Sequence, residues 1–184
     1  VGSEMCLRDR AIAFLRSPFA HAQLTHLDLT EARNSAGVQL AVSQADMDED
    51  NVGEIHCQQY VENRDGSQIP RTTKPAMARD IIRHAGDIVA MVVADTRQQA
   101  LDAIELVDVD YNILESVCDV YEATEPNAPQ LYDCYPNNTV FTWEAGTIDK
   151  ARSAIDGAIA SGARLVEVDV INSRIMPNAM ETRP

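Results

Sequence analysis

The chain has 184 residues, 45 % of them apolar, 24 % charged and 5 % aromatic, with a formal net charge of -14. That length suits one ordinary domain, or one domain and part of another, with a real core, and the composition excludes disorder. The acidity repels nucleic acid and anionic membrane surfaces, so neither is expected as a partner, and no apolar run approaches the roughly 20 residues of a membrane helix. No basic region followed by an apolar core opens the sequence, so no signal peptide is expected and the protein reads as cytoplasmic. Cys6, Cys57, Cys118 and Cys134 are scattered without metal-ligand spacing and read as free thiols.

Ala11 to Arg16 is a short apolar run that Ser17-Pro18 ends, because proline biases its predecessor to extended geometry and withholds a ladder donor. Leu24 to Thr30 alternates weakly, with Leu27 and Leu29 inward. Thr30 is placed to cap a short helix through Ala36 that Gly37 closes, and Val38 to Val42 reads as the next strand. Asp46 to Asp50 (DMDED) opens like a calcium loop. The match fails, because Asn51 stands where the loop needs glycine and Cys57 where it needs glutamate. From Asn51 to Arg83 the chain is polar, and Asp65-Gly66 reads as the turn of a two-stranded arm.

Ile88 to Ala94 is an uninterrupted valine-rich run, which predicts a central strand buried on both faces. Thr96, with Gln99 three residues on, has the reciprocal capping signature of a helix start. Ala100, Leu101, Ala103, Ile104 and Val107 supply that helix with an apolar stripe. Val107, Val109 and Tyr111 then alternate with Asp108 and Asp110, as in a strand with one wet face. Glu115 to Asn138 is interrupted by Pro126, Pro129 and Pro136 and reads as an extended linker holding a domain boundary. Trp143 is expected on a strand, packing there or offering a stacking platform to a ligand. Thr147 is placed to cap a second helix that Gly162 stops, and Arg164 to Ile171 (RLVEVDVI) predicts a strand with Val166, Val168 and Val170 on one side.

Chemistry-bearing patterns are sparse. Neither G-x-G-x-x-G nor G-x-x-x-x-G-K occurs, so dinucleotide or phosphate-loop binding is not supported. Ser17 and His21 stand close together, but no serine lies in a G-x-S-x-G elbow, and a structural role is favoured for both. His26, His56 and His84 are isolated, and no carboxylate pair or Cys/His set forms a catalytic constellation.

Four stretches carry a resemblance. These are FLRSPFAHAQL with GVQLAVSQADM; the glycine and VAMVVADT with LVDVDY; Asn137-Asn138 before VFTWEAG; and NSRIMPNAMETR. Together they resemble the start of the large subunit of molybdenum hydroxylases, the family of xanthine dehydrogenase, aldehyde oxidase and aerobic carbon monoxide dehydrogenase. This chain departs from the family pattern at Phe19, where a histidine is usual, and at Asp87-Ile88, where glutamate and proline are usual. Met180 to Arg183 also lacks the common proline. The resemblance implies an α+β fold, the α/β hammerhead, with a mixed sheet and two main helices, followed by the first strand-helix-strand segment of the molybdenum-cofactor domain. The implied boundaries are 1–114 for the hammerhead, 115–138 for the linker and 139–184 for the start of the molybdopterin-binding domain.

The same resemblance implies a non-catalytic piece of an oxidoreductase, cut near Val1 and again just inside the cofactor domain. The whole enzyme would hydroxylate a carbon centre or oxidise carbon monoxide, taking its oxygen from water. No catalytic, metal or cofactor-binding residue is expected in this chain. Molybdopterin would lie in the rest of the subunit, and iron-sulfur clusters and FAD on partner subunits or domains. The partners would be those subunits and the remaining cofactor domains, with Glu181 and Arg183 as interdomain contacts. The competing reading is a stand-alone acidic binding or scaffold module.

Overall fold

The computed structural model describes residues 10–56, 61–70 and 72–171. In chain order the elements are β1 (Ala11–Arg16), β2 (Ala22–Asp28), α1 (Thr30–Asn34), β3 (Val38–Ser43), α2 (Gln44–Glu49), β4 (Ile55–His56), β5 (Thr73–Lys74), β6 (Ile81–Ile82), β7 (Ile88–Ala94), α3 (Arg97–Ile104), β8 (Asp108–Ile113) and α4 (Ile148–Ala160). Short 3-10 turns lie at Glu122–Thr124 and Pro136–Asn138. The chain divides into two compact units, Val1–Thr142 and Trp143–Pro184. No helix among the described residues is long and apolar enough to cross a membrane.

The α+β architecture expected from the sequence is what the first unit has. Its strands form two three-stranded sheets, β1-β7-β3 and β6-β2-β8, and a two-stranded arm, β4-β5. Each pairing is antiparallel, so the expected mixed sheet is instead two antiparallel ones. The reason lies in the connections. The α3 crossover carries the chain from the first sheet into the second, where β8 runs against β2, and β7 has antiparallel partners on both edges.

β7 is the hub of the first sheet. Its Ala90, Val92 and Ala94 turn to one face and are fully buried under α3 and α1, where Ala32, Ala100 and Ala103 meet them. Alanine on both sides lets the helix lie close to the strands, so small side chains set the spacing here. The other face of β7 is covered only at its start, where Val89 packs with Ala22, Ala78 and Ile82 of the second sheet. Met91 and Val93 are only partly buried, which corrects the expectation of a strand buried on both faces. The capping signature at Thr96 is present: its N–H donates to Gln99 Oε1 at 3.0 Å, and its Oγ1 accepts from the Gln99 N–H at 3.3 Å. Leu101 faces solvent, so the buried stripe of α3 is narrower than its apolar composition suggested. β8 has the expected alternation, with Val109 and Tyr111 packed inward and Asp108 and Asp110 exposed.

Two local expectations need correction. Thr30 is the first residue of α1, not its cap. Its N–H and hydroxyl both donate to Asp28 Oδ1, at 2.9 and 2.6 Å, so the acid two residues upstream performs the capping chemistry. The helix ends at Asn34 rather than Ala36, and Gly37 (φ 81°) makes the turn into β3 with the Gln99 side chain where its Cβ would be. The acidic run after β3 forms α2, entered through a capping box between Ser43 and Asp46.

Residues 115–138 were expected as an extended run, yet they are folded into the two 3-10 turns and tied down by side chains. Asn137 and Asn138 both occupy left-handed backbone (φ 52° and 53°), which asparagine tolerates better than most residues. The Asn138 side chain then accepts from Leu131 N–H at 3.0 Å and donates to the carbonyls of Ala123 (2.9 Å) and Pro129 (3.0 Å). The buried Tyr135 donates its hydroxyl hydrogen to the Pro70 carbonyl at 2.7 Å, and Arg83 lies over the Tyr132 ring at 4.3 Å.

In the second unit, α4 begins at Ile148 after Thr147 and ends before Gly162 (φ 93°), the bounds that the sequence predicts, although the Thr147 side chain makes no capping hydrogen bond. The two flanking strand expectations fail. Trp143 lies on irregular backbone, and Arg164 to Ile171 forms no regular element, with Val166, Val168 and Val170 at 72 %, 75 % and 76 % exposure. Alternation gives such a segment a strand's shape, but a strand also needs a neighbour to take its backbone donors, and none stands beside it among the described residues.

Two measurements test this description. Ala103→Leu should cost about 2 kcal/mol or more in urea unfolding, because the helix cannot move off β7 without losing the alanine contacts. Asn138→Ala should cost about 2 kcal/mol, since three partners lose their bonds and alanine is strained at that φ.

Candidate functional site

The residues singled out in the sequence are not brought together. Glu181 and Arg183 lie outside the described residues, as do Cys6 and Cys57, while Cys118 and Cys134 are exposed free thiols. Ser17 is buried and closes a turn, its Oγ accepting from Phe19 N–H at 3.1 Å. His21 is buried and sits with Nδ1 2.6 Å from the Glu115 carbonyl oxygen, so the ring ties the exit of β8 to the start of β2. His26 and His84 are engaged by Asp108 (3.5 Å) and Asp87 (3.6 Å). Among the described residues no three of His, Cys, Asp or Glu converge on a point where a metal ion could be held.

What the fold does assemble is an uncovered apolar sheet face. Antiparallel register lines up Ile12, Val93 and Leu40 in one rung and Phe14, Met91 and Val42 in the next. Ile12, Phe14 and Leu40 are 55 %, 44 % and 46 % exposed. Arg16 borders the patch, its guanidinium 5.6 Å from the Phe14 ring centroid, and at the far end Gln39 donates to Asp95 at 3.1 Å. That 11–16 and 38–42 form strands was legible, but which side stays open depends on where the second sheet stops.

Beside the sheet, an ion network holds the arm. Arg79 donates from Nε to Asp48 Oδ2 at 2.8 Å and from Nη2 to Asp48 Oδ1 at 2.9 Å and Glu54 Oε1 at 3.0 Å. Gln44 donates to Asp48 Oδ1 at 2.8 Å, and its own carbonyl oxygen accepts from the buried Met77 N–H at 2.9 Å. Thr73 of β5 also donates to Glu54. One guanidinium thus joins α2, the arm and the segment leading to β6. The Arg79 hydrogen bonds, helped by Gln44, hold the Asp48 carboxyl down at about 2 rather than its ordinary 3.8. The Thr73 bond and then Arg79 lower Glu54, and its two carboxylate partners raise Arg79. The helix start was legible in Ser43-x-x-Asp46, whereas Arg79 lies far along the chain and only folding pairs it with Asp48. A carboxylate with a lowered folded-state pKa contributes stability above its unfolded value, and that contribution is lost as the pH falls through the folded value. Asp48→Asn should therefore lower the urea midpoint at neutral pH, with the gap from the parent closing between about pH 4 and pH 2.

Comparison with known proteins places this architecture. Residues 5–115 match the family model described as aldehyde oxidase and xanthine dehydrogenase, a/b hammerhead domain. The chain is 35 % identical over 122 residues to the probable hypoxanthine oxidase XdhD of Escherichia coli (strain K12), a match covering 66 % of this chain and 12 % of that protein. It is 30 % identical over 182 residues to the carbon monoxide dehydrogenase large chain of Afipia carboxidovorans, covering 92 % of this chain and 20 % of the relative. The crystal structure of the Cu,Mo-CO dehydrogenase superposes with a TM-score of 0.62 at 27 % identity, over 80 % of this chain and 19 % of that one. This chain thus spans a fifth or less of the length of these proteins. On that match, over residues 5–115, the chain belongs to the aldehyde oxidase and xanthine dehydrogenase family, through its a/b hammerhead domain.

Proposed function

We propose that the chain works as a structural module of a molybdenum hydroxylase large subunit, in which it supports the cofactor-bearing parts and performs no chemistry itself. The observation that carries this reading is the hammerhead match over residues 5–115 by a chain that spans so small a share of its relatives. The bare apolar face of β1-β7-β3 supports it, because an apolar patch of this kind on an acidic protein is a surface to be covered. In this reading residues 1–114 are the hammerhead, 115–138 the connecting strap and 139–184 the entry to the molybdopterin-binding domain. The unpaired Arg164 to Ile171 would join a sheet completed by other residues of that subunit. The whole enzyme would be an oxidoreductase that hydroxylates a carbon centre or oxidises carbon monoxide. Molybdopterin would be held in the rest of the subunit, and iron-sulfur and flavin groups on partner subunits or domains. Glu181 and Arg183 would contribute to the joint with the cofactor domain.

Phe14→Glu combined with Leu40→Glu tests the face. Both side chains are exposed, so the 184-residue chain should keep its circular dichroism and unfolding temperature. Placed in a full-length large subunit, the same pair should abolish assembly and strip its molybdenum, as measured by gel filtration and metal analysis. A fully assembled, molybdenum-loaded variant would reject the reading. For Glu181→Ala and Arg183→Ala in the same subunit, unchanged molybdenum occupancy and assembly would remove those two residues from the joint.

A further inference from the structure

A cleft of about 440 Å³ lies between the arm, the segment 75–87 and the strap that carries Tyr132. It is within the size range of small-ligand sites. The network around Arg79 closes one side. On the other side Arg83 is fixed in two independent ways: its guanidinium lies 4.3 Å from the Tyr132 ring centroid, and its Nε donates to the Leu131 carbonyl at 2.9 Å. That leaves its two terminal amines without a hydrogen-bond acceptor among the described residues, on a group that cannot lose its charge. Lys74, also on the lining, is exposed and makes no ion pair among the described residues.

The anions lining the cleft are Glu54, Asp80 and Asp87. Glu54 is held by Arg79 and Thr73. Asp87 is held by the Arg83 backbone N–H at 3.4 Å and by His84 at 3.6 Å. Asp80 is exposed and, among the described residues, makes no hydrogen bond or ion pair with Arg83 or Lys74. Met77, Ile81 and the Tyr132 ring give the cleft an apolar side.

From this arrangement we propose that the cleft is a carboxylate-binding site in which the oriented fork of Arg83, aided by Lys74, holds the carboxylate and the Met77, Ile81 and Tyr132 wall receives an apolar body attached to it. A guanidinium already held against a ring and by its Nε loses little freedom when it binds, and its planar pair of donors matches the two oxygens of a carboxylate. The site is separate from the apolar sheet face, and the proposal does not depend on the family reading.

The test uses the 184-residue chain, with amide NMR shifts followed on addition of benzoate, benzamide and an N-acetylated aspartyl dipeptide. Benzoate should shift the amides of residues 78–87 saturably with millimolar or tighter affinity, and benzamide, its neutral counterpart, should not. Arg83→Lys keeps the charge but loses the fork, and should weaken benzoate about tenfold. Lys74→Gln should weaken it a few-fold. Asp80→Asn removes an opposing charge and should tighten binding, a change that no folding defect would produce. Stronger binding of benzoate than of the dipeptide assigns the site to a small organic acid, and the reverse order assigns it to an acidic side chain of a protein segment. No saturable shift with either acid, or equal binding by the parent and Arg83→Lys, would overturn the proposal.

Discussion

Everything in the first unit depends on one strand being short of space on one side. β7 is bonded along both edges, to β1 and β3, and on one face its Ala90, Val92 and Ala94 lie against Ala100, Ala103 and Ala32. Alanine dominates this contact, with Leu29, Val38 and Ile104 packed beside it, so the helices lie close to the sheet and there is little room for adjustment. The two sheets then share the strand's start, where Val89 enters the core of β6 and β2. Beyond Val89 the second sheet ends, and Met91 and Val93 are left partly open with their neighbours Ile12, Phe14 and Leu40.

Around this rigid centre the long polar excursions are held by single multivalent side chains. Arg79 gathers two carboxylates that lie 31 and 25 residues from it along the chain, and Asn138 satisfies three backbone groups of the strap at once. Such arrangements replace ladders that proline and polar residues would interrupt. They also leave a chain with a net charge of -14 whose acids are partly used as structural acceptors. Asp28, Asp46, Asp48, Glu54 and Asp65 all ionise more readily in the fold than alone, so their charge supports the fold instead of merely solvating it.

The buried polar groups are used in the same way. The buried polar side chains, Ser17, His21, Ser43 and Gln44, are spent on turns, caps and backbone carbonyls or amides. Among the described residues no three of His, Cys, Asp or Glu form a metal-binding set.

Much of this was written locally in the chain. The valine run at 88–94, the Thr96 and Gln99 pair and the alternation through Tyr111 specify their elements because period and capping act between residues near in sequence. The Asp65-Gly66 turn and the Gly162 stop are equally local, since each needs only one backbone conformation. The partition into two antiparallel sheets, the open face of β7 and the pairing of Arg79 with Asp48 and of Asn138 with three carbonyl and amide groups came only with the tertiary structure. These depend on which distant segments share space, and period or composition carries no record of that. The failure of Arg164 to Ile171 to become a strand has the same origin, because alternation shapes a segment but only a neighbour can accept its hydrogen bonds.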